Sequence, residues 1–392
     1  MAIYYIIFFA AVLIYYINGE REGKVSRMGQ VWMLALMLAF LAVFVGLSDM
    51  LGGYDRYIYA ELSDDAADVV EAHQPLMTAQ IFTQYPKEWG YGWYNILMGC
   101  ITPNRYIFIL ITTIIIYCLL FQSIKKYCNN YPFAVILFLG LWFFFTFTYL
   151  RQCLGATICW LGIQYVAKRD LKRFLLVCFI AFTFHNSAII FLPFYFIPVR
   201  KYSRQTVLII MVAMLVLGFT DVPGALFDAY REVDEGRAET VGNETGFRIA
   251  YILEAAFFLY FILSKYNEIP DKKLNIVLLN MTLVFCAILL FFIRNENGGR
   301  LSWYYMMGVI ATVTYISTNV STPKIDSVIL IVLFFFLFNR IVSSWGLQLY
   351  PYKTFLTEGV REGDIIWQNY EYDHIYDNNK LYRPVFKLTN PF

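Results

Sequence analysis

Charged residues are scarce in this chain of 392 residues: they make up 15%, against 59% hydrophobic and 19% aromatic residues. Soluble globular domains carry about 25% charged residues, so this composition excludes a soluble globular protein. The mean hydropathy is +0.55. Apolar windows of 15 to 21 residues recur along the chain, long enough to cross ~30 Å of hydrocarbon at ~1.5 Å per residue. We predict an all-α polytopic integral membrane protein.

Cysteine and histidine are few and scattered. The seven cysteines include no CxxC pair, and the three histidines do not cluster, so the sequence predicts neither a disulfide nor a metal site. Walker A, dinucleotide-binding glycine, GxSxG and zinc-ligand patterns are also missing. Nucleotide-driven and metal-driven chemistry is therefore not indicated. We expect no cofactor, no metal ion and no nucleic-acid partner.

The apolar windows predict about ten transmembrane helices and one helical hairpin. The first window has no basic leader and no cleavage site, which favours a retained span. If every window crossed once, the basic stretches KRDLKR (168 to 173) and PVRKYSR (198 to 204) would lie on opposite faces, against the positive-inside tendency. We therefore predict a hairpin over 174–197 that turns at His185, Asn186 and Ser187. The windows are 3–17, 30–48, 104–123, 132–149, 152–167, 174–197, 206–219, 247–264, 274–293, 301–318 and 325–345.

This topology divides the chain into two regions. A transmembrane domain (1–345) carries extracytoplasmic loops at 49–103 and 220–246, and an extracytoplasmic tail (346–392) follows. Both termini lie outside. We expect the tail either to pack over the outer cavity or to be partly disordered. The outer segment from Asp49 to Glu88 holds eight acidic residues against two basic ones, a net charge of −6.

The basic residues divide by type between the two faces. The predicted inner segments hold ten lysines and six arginines, whereas the outer segments hold four lysines and eleven arginines. Arginine binds carboxylate or phosphate oxygens bidentately in a partly dry site. The alternative is that each side chain snorkels to lipid phosphate. Six of the outer arginines stand at predicted span ends, which favours an anionic headgroup there: Arg105, Arg151, Arg248, Arg294, Arg300 and Arg340.

Two aromatic patches flank the acidic stretch, GGYDRYIYAELSDDA and KEWGYGWYNILMG. Flat rings cover the C–H faces of a sugar, and carboxylates accept hydrogen bonds from its hydroxyls. An interfacial aromatic belt is the alternative, with residues 88–101 as a short interfacial helix. The candidate glycan-binding residues are Tyr54, Tyr57, Trp89, Tyr91, Trp93 and Tyr304.

Three short polar motifs interrupt the apolar sequence. FTFHNSAIIFLPF places His185 in a membrane element, where polar groups are costly. The imidazole of His185 can accept a proton or bind phosphate. The alternative is a packed histidine that is hydrogen-bonded to a backbone carbonyl. TYLRQ places Arg151 on a tight outer turn. RNENGGRLSWYY sets Arg294 and Arg300 around two glycines, with Glu296 as a candidate partner. We expect the three motifs to meet at the outer face.

In motif order the chain resembles the EpsG family of exopolysaccharide and capsule polymerases, relatives of the Wzy-type O-antigen polymerases. The resemblance covers about 50 to 320 and rests on GGYDRYIY, EWGYGWYN, LRQCLGATICWLGI, FTFHNSAIIFLPFYFI and RLSWYY. It implies a GT-C-related glycosyltransferase of the bacterial inner membrane that needs neither nucleotide sugar nor metal. Such proteins transfer a glycan from undecaprenyl pyrophosphate to the next lipid-linked repeat unit at the extracytoplasmic face. The implied partners are these lipid-linked donors and acceptors, membrane lipids and a chain-length regulator.

The resemblance and the residues together suggest roles for single side chains. Arg151, Arg294, Arg300 and Arg248 are the candidates for binding pyrophosphate, because fixed guanidinium groups stabilise a leaving diphosphate. The candidate catalytic residues are Arg151, His185, Asp55 and Glu88, the last three as possible proton acceptors from the acceptor hydroxyl. A lipid-linked oligosaccharide flippase and a membrane O-acyltransferase with His185 as its base are alternative functions.

Overall fold

The protein is all-helical in the part of the chain that the structure, a computed structural model, describes. This part comprises residues 1–18, 26–226, 246–295, 297–319, 324–361, 363–370 and 373–391. Most of the predicted loop at 220–246 and Glu296 lie outside it. The described residues form no strand, and a single isolated bridge joins Ser48 to Thr354. The structure thus confirms one part of the predicted fold class: the described chain is all-α and contains long apolar helices.

Short connections join most of the described helices. In chain order they are α1 (Ala2–Ile17), α2 (Arg27–Leu47), α3 (Tyr54–Glu71), α4 (Gln80–Gln84), α5 (Trp89–Gly99), α6 (Arg105–Tyr127), α7 (Tyr131–Leu141), α8 (Phe145–Thr148), α9 (Leu150–Lys168), α10 (Leu171–Phe184), α11 (Arg204–Gly218), α12 (Ile249–Ser264), α13 (Lys273–Phe291), α14 (Asn297–Ser302), α15 (Met306–Thr318), α16 (Lys324–Ser344), α17 (Gly346–Leu349), α18 (Ile365–Tyr370) and α19 (Ile375–Asn378). The 3₁₀ segments are Leu76–Thr78, Asn186–Phe196, Tyr266–Glu268 and Trp303–Tyr305.

Four of the described helices, α2, α6, α13 and α16, are long and apolar enough to cross a membrane. Shorter apolar helices accompany them, among them α1, α7, α11 and α12. Several of the helices begin directly after a short polar side chain that accepts a backbone N–H. The capping residues are Ser26, Asn104, Asn130, Asp170 and Ser203.

The predicted hairpin over 174–197 is present. α10 runs to Phe184, the chain reverses at His185 in an extended conformation, and a 3₁₀ helix returns to Phe196. The guanidinium of Arg169 donates to the carbonyl of Tyr195 at 2.6 Å, so the two arms end side by side. A 3₁₀ helix rises about 2.0 Å per residue against about 1.5 Å in an α-helix. The shorter return arm therefore matches α10 in length.

This hairpin places the two basic stretches at one end of the helix bundle, as the predicted topology requires. Lys201 donates to the carbonyl of Ile269 at 2.8 Å, and Lys265 lies 3.0 Å from Asp326. We call this the basic end; it contains residues 124–130, 164–173, 195–204, 265–273 and 324–327. The opposite end, which we call the Arg151 end, contains residues 48–105, 149–152, 185–187, 297–305 and 345–361 with the remaining described tail residues.

The predicted span over 132–149 is not one continuous helix, because α7 ends at Leu141 and the short α8 precedes α9. Arg56 of α3 is fully buried beside this break. Its guanidinium donates to the carbonyls of Val45 at 3.1 Å and Leu51 at 2.9 Å, and to that of Phe147 at 3.4 Å. These bonds satisfy carbonyls near helix ends that have no partner within a helix. Burial lowers the pKa of Arg56 to about 10.

The described tail is ordered against the outer segment 49–103. Backbone N–H groups of Lys387 and Thr389 donate to the carbonyls of Ile101 and Cys100 at 3.0 and 2.9 Å. Ion pairs join the two segments: Arg383 with Asp68 through both terminal nitrogens, Lys387 with Glu71, and Lys380 with Asp49 at 3.3 Å. Three of the eight acidic residues of this segment, Asp49, Asp68 and Glu71, therefore bind tail cations, which fits the alternative that the tail packs on the outer face.

Candidate functional site

Arg151, Glu88 and His185 form one buried cluster at the Arg151 end. A terminal nitrogen of Arg151 donates to Oε2 of Glu88, while Oε1 of Glu88 lies 3.2 Å from Nδ1 of His185. The backbone N–H of Asn186 donates to the same Oε1 at 3.1 Å. Both charged side chains are almost fully buried. The structure thus brings together three of the four residues predicted to be catalytic.

Three elements position this cluster. Arg151 lies in the first turn of α9, directly after the helix break. Glu88 caps the start of α5. His185 stands between the two arms of the hairpin. The loop before α5, the start of α9 and the hairpin turn therefore converge, as the sequence motifs predicted for Arg151 and the FHNS turn.

Tyrosine rings enclose the guanidinium of Arg151. Its Cζ atom lies 3.5 Å from the ring centroid of Tyr85, 5.5 Å from that of Tyr59 and 6.0 Å from that of Tyr91. Ring faces attract a cation, more strongly where water is absent. Nε of Arg151 is buried and has no hydrogen-bond partner among the described residues. The cluster therefore retains one unused donor in a dry, aromatic environment.

The charge state of Glu88 follows from its neighbours. Burial alone would raise its pKa, but Arg151, His185 and the N–H of Asn186 stabilise the carboxylate and lower the pKa from 4.5 to about 2. Glu88 is thus a carboxylate at neutral pH, and it is a weak proton acceptor. Nδ1 of His185 faces Oε1 of Glu88 at 3.2 Å and the backbone N–H of Ser187 at 3.4 Å. In the tautomer whose Nδ1 proton is shared with Glu88, Nε2 is the basic nitrogen.

Small residues allow the hairpin turn to approach the cluster closely. A Cβ atom on Gly90 would lie 2.2 Å from Oγ1 of Thr183, and one on Gly155 would lie 3.2 Å from Cβ of His185. Ser187, two residues after the histidine, shares a 2.8 Å hydrogen bond with the hydroxyl of Tyr304. These contacts fix the turn against α5, α9 and the Trp303–Tyr305 segment.

A second arginine joins the cluster through the residue after Arg151. Nε of Arg300 donates to Oε1 of Gln152 at 3.0 Å, and Nε2 of Gln152 donates to the carbonyl of Arg300 at 2.8 Å. The guanidinium of Arg300 stacks on Tyr149, 4.2 Å from its centroid. Arg300 is only partly buried. The site thus contains the enclosed guanidinium of Arg151 and the solvent-accessible guanidinium of Arg300.

The other predicted phosphate ligands lie apart from this pair. Arg294 contacts Asp221 at 3.4 Å on an exposed surface, and the backbone N–H of Arg248 donates to the carbonyl of Ile293 at 3.0 Å. The described contacts link neither residue to Arg151. Asp55, the fourth catalytic candidate, is partly exposed in the first turn of α3, one turn before Tyr59. It therefore borders the cluster without a direct contact to it.

The six candidate glycan-binding rings fall into two groups. Tyr54, Trp89 and Trp93 are exposed. Tyr57, Tyr91 and Tyr304 are buried; Tyr57 donates to Asp364 of the tail at 3.1 Å. In this structure the buried rings have no free face for a sugar, because tail or helix atoms cover them. The glycan-binding role of the exposed rings stays a prediction.

Sequence reasoning missed Gln152, Tyr59 and Tyr85 as neighbours of the two arginines. Two local signals were present. Gln152 directly follows Arg151, and Tyr85 lies three residues before Glu88. Tyr59 gave no such signal, because only the packing of α3 against the site shows which of its tyrosines faces Arg151.

Among the described residues, no group of three or more His, Cys, Asp or Glu side chains is placed to hold a metal ion. Comparison with curated proteins gave no match, and neither did comparison with solved structures. The sequence model of the EpsG family matches residues 31–354, which include most of α2, all of α3 to α17 and every residue of the cluster. This protein therefore belongs to the EpsG family.

Proposed function

We propose that this protein is a bacterial surface-polysaccharide polymerase. It transfers a glycan from undecaprenyl pyrophosphate to the next lipid-linked repeat unit at the extracytoplasmic face of the inner membrane. The observation that carries this proposal is the buried Arg151–Glu88–His185 cluster with the open Arg300 beside it, in a chain of the EpsG family. A diphosphate leaving group requires fixed positive charge, and a glycosyl acceptor requires a proton acceptor nearby.

In this proposal the two arginines bind the diphosphate of the donor. Arg300 is accessible and binds the diphosphate first. Arg151 is paired with Glu88 but keeps a buried Nε without a hydrogen-bond partner among the described residues. The first turn of α9 adds backbone N–H groups that have no partner within the helix. As the glycosidic bond breaks, negative charge grows on the diphosphate, so these donors stabilise the transition state more than the ground state.

His185 serves as the proton acceptor for the attacking hydroxyl. Glu88 holds its Nδ1 at 3.2 Å, which directs Nε2 toward the acceptor. The hydroxyl oxygen then forms the new bond to the anomeric carbon as the diphosphate leaves with the bonding electron pair. Asp55, on the rim of the cluster, binds acceptor hydroxyls as a hydrogen-bond acceptor. Tyr54, Trp89 and Trp93 are exposed on the same outer segment and provide ring faces for the sugar.

The wider features of this proposal rest on the family and the topology. It includes about ten membrane crossings, a GT-C-type relationship, the active site outside and independence of nucleotide and metal. The basic end then faces the cytoplasm, in agreement with the positive-inside tendency. A chain-length regulator is a further expected partner.

The test is a reconstituted reaction. Purified protein in nanodiscs is incubated with the lipid-pyrophosphate-linked repeat unit extracted from cells that make the polymer, with chelator and without nucleotide. We expect a ladder on a gel, spaced by one repeat unit. A single unchanged band, together with transfer of the unit between leaflets in liposomes, would instead identify a flippase. A change in ester content without chain growth would identify an acyltransferase.

A further inference from the structure

Gln152 holds Arg300 by two hydrogen bonds in opposite directions. Its amide nitrogen donates to the main-chain carbonyl of Arg300 at 2.8 Å, and its amide oxygen accepts from Nε of the same residue at 3.0 Å. Gln152 is 2% exposed, so solvent does not compete for either bond. These bonds fix the backbone and the side chain of Arg300 together.

The terminal nitrogens of the Arg300 guanidinium have no polar partner in the part of the chain that the structure describes. Its plane stacks on Tyr149, and among the described residues its two terminal nitrogens make no hydrogen bond. Within the described ranges, Nε is the one guanidinium donor of Arg300 that makes a hydrogen bond. Two parallel N–H donors of one guanidinium match the spacing of two phosphate oxygens. Arg151 differs, because one of its terminal nitrogens binds Glu88.

We propose that Gln152 is a positioning residue that presents the two terminal nitrogens of Arg300 to the diphosphate of the lipid-linked donor. This inference rests on the proposed function and assigns the first binding step to Arg300. The site can bind the anion before Arg151 separates from Glu88, because Arg300 needs no ion pair broken.

An amide is the group that this position requires. A carboxylate at 152 could still accept from Nε of Arg300, but it would neutralise the guanidinium and repel the carbonyl of residue 300 and the incoming phosphate. An aliphatic side chain would make neither bond and would leave Arg300 free to rotate. Gln152→Glu and Gln152→Leu therefore test charge and geometry separately.

The experiment measures binding of inorganic pyrophosphate to purified protein in nanodiscs by calorimetry. We expect wild-type protein to bind it more tightly than orthophosphate. Gln152→Leu should weaken binding about tenfold, and Gln152→Glu should weaken it further. Lowering the pH to about 4, near the ordinary pKa of a glutamate, should partly restore binding to Gln152→Glu relative to wild type at the same pH, since a protonated carboxyl can donate and accept as the amide does. A purely structural role for Gln152 would give no such pH-dependent recovery.

Two results would overturn the inference, and the polymerase assay separates them from failure of the proposed function. Equal pyrophosphate affinity in wild type and Gln152→Glu would show that Gln152 does not prepare Arg300, even where wild type forms a ladder. No pyrophosphate binding by a wild type that polymerises would exclude Arg300 as the receptor. If wild-type protein neither bound pyrophosphate nor formed polymer, the result would contradict both this inference and the proposed function.

Discussion

One carboxylate, Glu88, contacts both His185 and Arg151. Its Oε1 lies 3.2 Å from Nδ1 of His185, and its Oε2 accepts from the guanidinium of Arg151. The three residues come from a loop, a hairpin turn and a helix start, so no local sequence pattern joins them. This carboxylate links the cation that we assign to the leaving group with the base that we assign to the acceptor.

Removing the charge of Glu88 should destabilise the protein strongly. Glu88→Gln leaves the guanidinium of Arg151 buried without a counter-charge, and loss of one partner of a buried pair costs about 3–5 kcal/mol. Thermal unfolding in detergent measures the change. Glu71→Gln is the matched control, because Glu71 pairs with Lys387 on the surface. Equal melting temperatures for the two variants would contradict the role of Glu88.

The stabilisation by Glu88 should disappear only in strong acid. The pKa of Glu88 is lowered from 4.5 to about 2 in the folded protein, so its stabilising effect is complete above the unfolded value and is lost as the pH falls toward about 2. We expect the difference in unfolding free energy between wild type and Glu88→Gln to be constant from neutral pH to about pH 5. A difference that vanished above that pH would contradict the ion pair.

Replacing His185 should slow polymer formation without preventing binding of the donor. General base catalysis contributes typically 10²–10⁴-fold, and the diphosphate is already a good leaving group, so we expect a loss of about 10² in rate for His185→Gln. Time courses of the product ladder measure it. His374→Gln in the exposed part of the tail is the control. An unchanged rate for His185→Gln would contradict this role of His185 and would indicate Asp55 as the proton acceptor.

The tail contacts should differ in strength according to their burial. Asp64 is buried, accepts from Nε of Arg105 at 2.8 Å and also binds Tyr376 of the tail. Asp68 pairs with Arg383 at the surface, where such pairs contribute about 0–1 kcal/mol. We therefore expect Asp64→Asn to lower the melting temperature clearly and Asp68→Asn to leave it nearly unchanged. The reverse order would contradict the described docking of the tail.

The all-helical fold and the hairpin could be predicted because their causes are local or statistical. Apolar windows indicate helices wherever they occur, and the two basic stretches around 174–197 constrain which ends lie together. The meeting of Arg151 with the FHNS turn followed from the same topology. These predictions used only the order of the segments along the chain.

The partners of the acidic residues could not be predicted in this way. The sequence pattern makes the carboxylates of the outer segment, taken together, candidate acceptors for sugar hydroxyls. In the structure Asp49, Asp64 and Asp68 bind Lys380, Arg105 and Arg383. Glu88 pairs with a residue 63 positions away. Periodicity and composition carry no information on such distant pairs, because a carboxylate has the same sequence signature whether it binds a sugar or a cation.

The most direct test of the central claim compares two arginine-to-lysine variants in the reconstituted polymerisation. Arg151→Lys keeps the positive charge but loses the planar guanidinium that binds Glu88 and stacks on Tyr85. Arg173→Lys makes the same change at the basic end, in an exposed side chain. We predict a normal ladder from wild type and Arg173→Lys and the unextended substrate band from Arg151→Lys. A normal ladder from Arg151→Lys would contradict the proposal that this cluster is the polymerase active site.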